Sequence, residues 1–168
     1  YCSDNNLKSI DVSKNTKLTQ LTCDMNQLTS LNVSKNLSLE ILSCSNNTIT
    51  SLDLSVNSKL QSVVCENNNL TSLNIQNGNN NYETDGYSFK GNPNLLCIQV
   101  DDKAAAENTW LWTKDDTASY SEDCSVSGTE IVYIPDTNFK AYLLGNTDIN
   151  TNVDDEIQVS EACLLYTS

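Results

Sequence analysis

The 168-residue chain contains no histidine and no arginine, and all nine of its basic residues are lysines. Without histidine, the chain cannot form a Ser-His or Cys-His nucleophilic pair or a histidine-based metal site. Nine basic residues against 22 acidic ones give a net charge of −13, which opposes binding to nucleic-acid phosphates and to anionic membrane surfaces. We therefore expect no nucleic-acid partner.

Long apolar runs are also missing, so we expect no membrane insertion. The remaining candidates for catalysis are acidic pairs such as Asp101-Asp102 and Asp115-Asp116. These pairs fall at a predicted helix end or in turns, and neither has a partner with which to form a pocket. The sequence therefore predicts a protein that is not an enzyme.

The chain does contain an internal repeat of 21 residues. Variants of the pattern L-x-x-L-x-C-x-x-N-x-L-x-x-L fill residues 18–31, 39–52 and 60–73, and the chain begins within a further copy, with cysteines at positions 2, 23, 44 and 65. Apolar residues two apart, as in Leu21/Cys23 and Leu31/Val33, have the spacing of β-strands. Such short strands bury little alone, so the repeat predicts a solenoid of stacked parallel β coils.

Asparagine recurs at the same period, and we expect it to play a structural role. Asparagine can satisfy backbone groups where the chain turns and can form a hydrogen-bonded ladder when stacked on itself. The alternative is a role in ligand binding, which we consider the weaker interpretation. The two series are Asn5, Asn26, Asn47 and Asn68, and Asn15, Asn36 and Asn57.

Four of the seven cysteines belong to the repeat and are expected to be buried free thiols. Stacked cysteines come close enough for a disulfide, but parallel side chains suit its near-perpendicular torsion badly. A straight row of thiols also fails to surround a metal ion tetrahedrally. Small, buried thiols would then serve as core residues.

The motif L-x-x-L-x-C-x-x-N-x-L resembles the leucine-rich repeat consensus, with cysteine in a leucine position. Its second half, L-T-S-L-N-V-S-K-N, nearly repeats the first, and this nested pattern resembles the 21-residue IRREKO-type repeats of bacteria. The turn in SIDVSKN, SLNVSKN and SLDLSVN resembles the version found in secreted or cell-surface proteins of Bacteroidota. The resemblance implies a leucine-rich repeat solenoid over residues 1–81, mostly β with a short helical cap. It also implies an extracellular or cell-surface location.

Residues 82–124 are expected to cap the solenoid. Residues 95–102 are predicted to form a last strand. Asp101-Asp102 can cap a helix over residues 103–112, in which Trp110 and Trp112 would close the open end of the core. The segment resembles the C-terminal cap of these bacterial repeats. From that resemblance, and because both cysteines lie outside the ladder, Cys97 is expected to pair with Cys124, which would imply an oxidising compartment.

Most aromatic residues fall in or near this cap, and two interpretations stay open for them. They could form an exposed sugar- or protein-binding patch, or they could be the core of the cap. The residues concerned are Tyr82, Tyr87, Phe89, Trp110, Trp112 and Tyr120.

After a linker at 125–130, residues 131–162 resemble the N-terminal cap that starts a second repeat array. A helix is predicted up to Leu144, ended by Gly145. The next segment aligns with a calcium-loop pattern, although asparagine replaces the first aspartate and Asp155 replaces the turn glycine. Weak calcium binding and a metal-free turn both remain open; the candidate ligands are Asn150, Asn152, Asp154, Glu156 through its carbonyl, and Glu161.

The last six residues, CLLYTS at 163–168, fit no part of the repeat and look like a translated sequencing adapter. We expect a non-native tail and assign Cys163 no role.

The outward positions of the two strands in each coil form the candidate ligand-binding face. A polar, acidic face suits a non-catalytic protein- or glycan-binding or adhesion module of a secreted or surface protein of bacteria. We expect a monomer whose partner is a protein or carbohydrate at a cell surface. The alternatives are a structural spacer and an accessory domain of a larger secreted enzyme. The face residues are Asp11, Thr22, Asp24, Asn32, Ser43, Ser45, Asp53, Val64, Glu66 and Asn74.

Overall fold

The computed structural model describes residues 1–79, 86–109, 111–124 and 137–146. The chain divides into two compact units, residues 1–124 and 125–168. The predicted linker, the calcium-loop residues Asn150, Asn152, Asp154, Glu156 and Glu161, and the tail lie outside the described residues.

The first unit is a parallel β-solenoid, as the repeat predicted. Each strand has a buried apolar centre between more exposed flanking residues, because strand side chains alternate between the two faces. Sheet A contains β1 (Gln20–Thr22), β2 (Ile41–Ser43), β4 (Ser62–Val64) and β6 (Tyr87–Ser88), in that order. Sheet B contains β3 (Ser51–Asp53), β5 (Ser72–Asn74), β7 (Cys97–Gln99) and β8 (Ser119–Ser121).

The strands pair in register, so each repeat forms one coil and equivalent residues form columns. Leu21, Leu42, Val63 and Tyr87 align through sheet A. Leu52, Leu73, Ile98 and Tyr120 align through sheet B. All eight are at most 4% exposed and belong to one apolar core, which is why strands of two or three residues are stable here.

Each coil turns through one left-handed residue two positions after the ladder cysteine. These residues are Asp4, Met25, Asn46 and Asn67, with φ between 51° and 57°. In the next coil Phe89 follows Cys65 in the column, and Gly91 takes the turn position with φ 73°. A Cβ on Gly91 would lie 2.3 Å from Oδ1 of Asn67, so this coil needs glycine.

The cap differs from its prediction because the chain adds one more partial coil. The segment 95–102 is not the last strand: β7 is followed by α1 (Lys103–Asn108) and then by β8, which pairs in parallel with β7. The predicted N-cap is confirmed, since Asp102 accepts a hydrogen bond from the Ala105 N–H. The helix is shorter than predicted because Thr109 is extended and the chain returns to sheet A, where Thr113 bridges to Ser88.

Four of the six aromatic residues predicted in or near the cap are described, and they form its core rather than an exposed patch. Tyr87, Phe89, Trp112 and Tyr120 are all at most 6% exposed. Trp112 stacks on Tyr87 with ring centroids 4.2 Å apart and makes edge contacts with Phe89 and Tyr120. Tyr82 and Trp110 lie outside the described residues, so their roles stay predictions.

In the second unit, the structure describes one helix, α2 (Thr137–Leu144). The helix ends as predicted, with the Gly145 N–H bonded to the Ala141 carbonyl. Leu143 is buried, whereas Phe139 and Tyr142 are exposed. Neither described helix is long and apolar enough to cross a membrane.

Candidate binding face

The structure separates the predicted face residues into two groups with different hydrogen bonding. On the sheet A side, the polar side chains of Asp24, Ser43, Ser45 and Glu66 connect neighbouring coils. Oδ1 of Asp24 accepts hydrogen bonds of 2.7 Å from both the Ser43 hydroxyl and the Ser45 N–H. Two coils later the pattern recurs, since the Ser88 hydroxyl donates to the Glu66 carboxylate.

Ser45 was predicted to point outward, and this prediction is wrong. Ser45 is only 7% exposed. Its N–H is bonded to Asp24 and its hydroxyl accepts the Glu66 N–H at 3.1 Å, so the neighbouring coils on both sides cover it. Thr22, Ser43 and Val64 are the last residues of β1, β2 and β4; they lie side by side in sheet A and are half-buried.

The sheet B side leaves more of its polar groups available. Oδ1 of each predicted residue accepts the backbone N–H two residues later, at 2.9–3.0 Å, which fixes the turn after the strand. The amide nitrogens of Asn32 and Asn74 and the second carboxylate oxygen of Asp53 have no hydrogen-bond partner among the described residues. The four are Asp11, Asn32 and Asp53, which are exposed, and Asn74, which is half-buried.

Asp11 shows the electrostatic effect of this turn. Hydrogen bonds from the Ser13 hydroxyl and then the Ser13 N–H lower the pKa of the Asp11 carboxyl. The carboxylate therefore stays ionised at neutral pH and keeps a negative charge on this face.

Sequence reasoning missed a second row on this side, formed by Ser30, Ser51 and Ser72. All three are exposed, and their hydroxyls make no hydrogen bond to another described residue. The signal was present in the recurring S-L-N and S-L-D triplets, since residues two apart on a strand share a face. We call these serines together with Asp11, Asn32, Asp53 and Asn74 the sheet B face.

A shallow groove of about 340 Å³ runs across two coils of the sheet B face. Its walls include Ser30, Asn32, Ser51 and Asp53, with Val56 as an apolar contact. The groove therefore combines the predicted residues with the missed serine row. Hydroxyl, amide and carboxylate groups at this spacing can hydrogen-bond a polar ligand that crosses neighbouring coils.

No protein-family model and no curated protein matches the chain. The structure is similar to a solved domain. That domain is the functional domain of InlJ from Listeria monocytogenes, described as including a cysteine ladder; the TM-score is 0.40 and the sequence identity 22%. The similarity covers 73% of this chain and 35% of that chain, so the chain spans about a third of the InlJ domain.

The repeat cysteines are free, as predicted: Cys23, Cys44 and Cys65 are buried, and Cys2 is half-buried. Burial raises the pKa of the Cys23 and Cys65 thiols to about 12, and it also raises the pKa of Cys44. Protonated, buried thiols are poor nucleophiles and poor metal ligands. No group of three histidine, cysteine or acidic side chains in the described part of the chain is placed to hold a metal ion.

The predicted disulfide between Cys97 and Cys124 is present, with the two Cα atoms 5.8 Å apart. Cys97 begins β7, and Cys124 follows β8 by three residues. The bond therefore fastens the end of the chain's last described coil to the coil before it.

The asparagine ladder has the structural role that was expected. The side-chain nitrogen of Asn47 donates to the carbonyls of Cys44 in its own coil and Cys23 in the preceding coil, each at 3.1 Å. Its oxygen accepts the Leu28 N–H at 2.9 Å. Asn26, Asn68 and Asn92 repeat this arrangement. These side chains are therefore not available to a ligand.

Proposed function

We propose that the solenoid is a non-catalytic recognition module that binds a protein or glycan along the sheet B face. The observation that carries this proposal is the difference between the two sides of the solenoid. On the sheet A side, the Asp24, Ser43 and Ser45 side chains are used in hydrogen bonds between coils, as is the Glu66 carboxylate. The Ser30, Ser51 and Ser72 hydroxyls on the sheet B side are exposed and without such bonds.

The chemistry of this face favours an extended, neutral or positively charged partner. Its groups repeat at the coil spacing of about 4.8 Å, so a polymer can make similar contacts with several coils. The Asp11 and Asp53 carboxylates and the chain's net charge of −13 oppose an anionic partner. Each contact is weak, and affinity would come from their number.

The proposal places the protein outside the cell, in a secreted or surface-anchored bacterial protein. The Cys97–Cys124 disulfide supports this location, since such bonds persist in oxidising compartments. The resemblance of the repeats to secreted bacterial leucine-rich repeats supports it as well.

A structural spacer is the second candidate, and the continuous bonding between coils favours it. The asparagine ladder and the Asp24–Ser43 type of contact stiffen the array. A spacer needs this stiffness but no free face. The two candidates therefore differ in whether the sheet B face binds anything.

The test is a binding screen of the full chain against an array of cell-surface polysaccharides and extracellular proteins. We expect the screen to find a ligand. The Ser51→Arg variant, changed in the groove, should bind this ligand about tenfold more weakly, since a bulky cation there blocks contacts. Ile41→Arg is the matched control, because Ile41 is the first residue of β2 in sheet A and is exposed. Absence of any ligand, or equal effects of both variants, would favour the spacer.

A further inference from the structure

A second concave site lies at the C-terminal end of the first unit. It shares no lining residue with the groove of the sheet B face. It is a cleft of about 470 Å³, with residues of α1 and β8 among its walls. This volume is within the range of small-molecule sites. The polar residues that matter below are Lys90, Glu107, Thr113, Lys114 and Ser119.

The cleft concentrates positive charge in an otherwise acidic protein. Two of the nine lysines line it, against the single carboxylate of Glu107. Glu107 already lies 3.7 Å from the ammonium group of Lys103. The ammonium group of Lys90 makes no ion pair or hydrogen bond with any residue that the structure describes, so it is available to an anion.

Lys114 is the second cation and is held in place. Its half-buried Nζ donates to the Ala118 carbonyl at 2.6 Å and lies 5.6 Å from the centre of the Tyr120 ring. The nearby acid Asp115 accepts the Gly91 and Asn92 N–H groups at 3.0 and 2.7 Å. Its carboxylate is therefore committed to the turn of the preceding coil.

Tyr120 gives an independent indication of a ligand. The residue lines the cleft and is 4% exposed, and its hydroxyl has no hydrogen-bond partner in the described part of the chain. Buried hydroxyls nearly always have a partner. Because this hydroxyl is shielded from solvent, a ligand hydroxyl in the cleft can provide one when the cleft wall moves.

We propose that this cleft binds a carboxylate-bearing sugar, such as a uronic acid residue of a polysaccharide. Lys90 and Lys114 bind the carboxylate. The Thr113 and Ser119 hydroxyls already bond to the Ser88 hydroxyl and to the Leu96 carbonyl, so their oxygens accept hydrogen bonds from the sugar hydroxyls, and the Tyr120 hydroxyl donates to one. The site does not depend on the sheet B face, which carries negative charge and suits a different ligand.

Titration of the full chain with D-galacturonate, followed by NMR, tests this proposal. We expect binding with a dissociation constant of about 1 mM, and at least about fivefold weaker binding of neutral D-galactose. Lys90→Gln is expected to weaken galacturonate binding by about fivefold. Lys59→Gln, which changes an exposed lysine away from the cleft lining, is the control and should have no effect.

Equal binding of galactose would overturn the role of charge, and equal binding of acetate or phosphate would show a simple anion site instead. No shift at about 50 mM galacturonate would also contradict the proposal. A thermal melt of Lys90→Gln verifies folding. Ser51→Arg should leave galacturonate binding unchanged, so failure here is distinguishable from failure of the sheet B face.

Discussion

Individual residues in this solenoid are selected by what each position of the coil requires. The position two after the ladder cysteine requires positive φ, which Asn46 and Asn67 adopt more easily than most residues. Met25 occupies the same position with φ 51° and is 55% exposed. A methionine there gains little from burial and keeps the cost of the left-handed backbone.

Met25→Asn should therefore stabilise the protein, by about 0.5–1 kcal/mol in the free energy of unfolding. The reciprocal change Asn46→Met should destabilise it by a similar amount, since Asn46 is also exposed. Urea unfolding of both variants measures the effect. A destabilised Met25→Asn variant would show that Met25 contributes packing that outweighs its backbone strain.

The ladder thiols predict a loss of stability at alkaline pH. Burial, with a further contribution from Glu66, raises the pKa of Cys65 from 9.0 to about 12. Between these values the unfolded thiol ionises while the folded thiol stays protonated, so the stability present below pH 9 is lost as the pH rises. At pH 10 the loss is on the order of 1 kcal/mol for this group.

Unfolding of Cys65→Ala in reducing buffer at pH 8 and pH 10 measures this loss. Between the two pH values, the variant should lose less stability than the wild-type protein does, by an amount on the order of 1 kcal/mol. If the two proteins lose stability equally, ionisation of Cys65 does not contribute.

Single strands of two or three residues are too short to be stable, so the bonds between coils matter more than any one element. Asn47 connects two coils and is 7% exposed, with its amide bonded to three carbonyls and one N–H. Removing such a side chain leaves several buried backbone groups without partners. The asparagines, although polar, are thus as important to the interior as the leucines.

Asn47→Ala should lower the free energy of unfolding by about 3 kcal/mol or more, because each unsatisfied buried group costs about 1–3 kcal/mol. Asn69→Ala is the matched control: Asn69 is exposed, and its change should cost less than about 0.5 kcal/mol. Chemical denaturation compares the two variants. Similar small losses in both would argue that water replaces the ladder contacts.

The disulfide should stabilise the cap. Cys97 and Cys124 are 27 residues apart, and the chain-entropy treatment of such a loop gives about 3–4 kcal/mol. A Cys97→Ala/Cys124→Ala variant should therefore unfold at a lower temperature in calorimetry. A reductant should lower the melting temperature of the wild-type protein but not of the variant; an effect on both would point to other disulfides.

For the molecule as a whole, the 21-residue period was sufficient to predict the solenoid, its core columns and the free thiols. It could not predict the last coil, because the segment before β8, with Trp112 and Thr113, no longer follows the period. The burial of Ser45 was also missed, since it depends on side chains of the coils on either side. Among face residues, Ser30, Ser51 and Ser72 could have been recognised from strand alternation alone.

The two sides of the solenoid differ in their hydrogen bonding. On the sheet A side, Asp24 and Glu66 connect coils through serines, which stabilises the array. On the sheet B side, the carboxylate or amide oxygens only close local turns, and a row of serine hydroxyls stays free. Under the proposed function, the sheet A side is a rigid support and the sheet B face binds the partner.

The most direct measurement of this division is the dissociation constant of the best array ligand for three proteins: the wild type, Ser51→Arg and Ile41→Arg. We expect Ser51→Arg to bind about tenfold more weakly and Ile41→Arg to bind within about twofold of the wild type. Weaker binding by Ile41→Arg, with Ser51→Arg unaffected, would place recognition on the sheet A side and contradict the proposed role of the sheet B face.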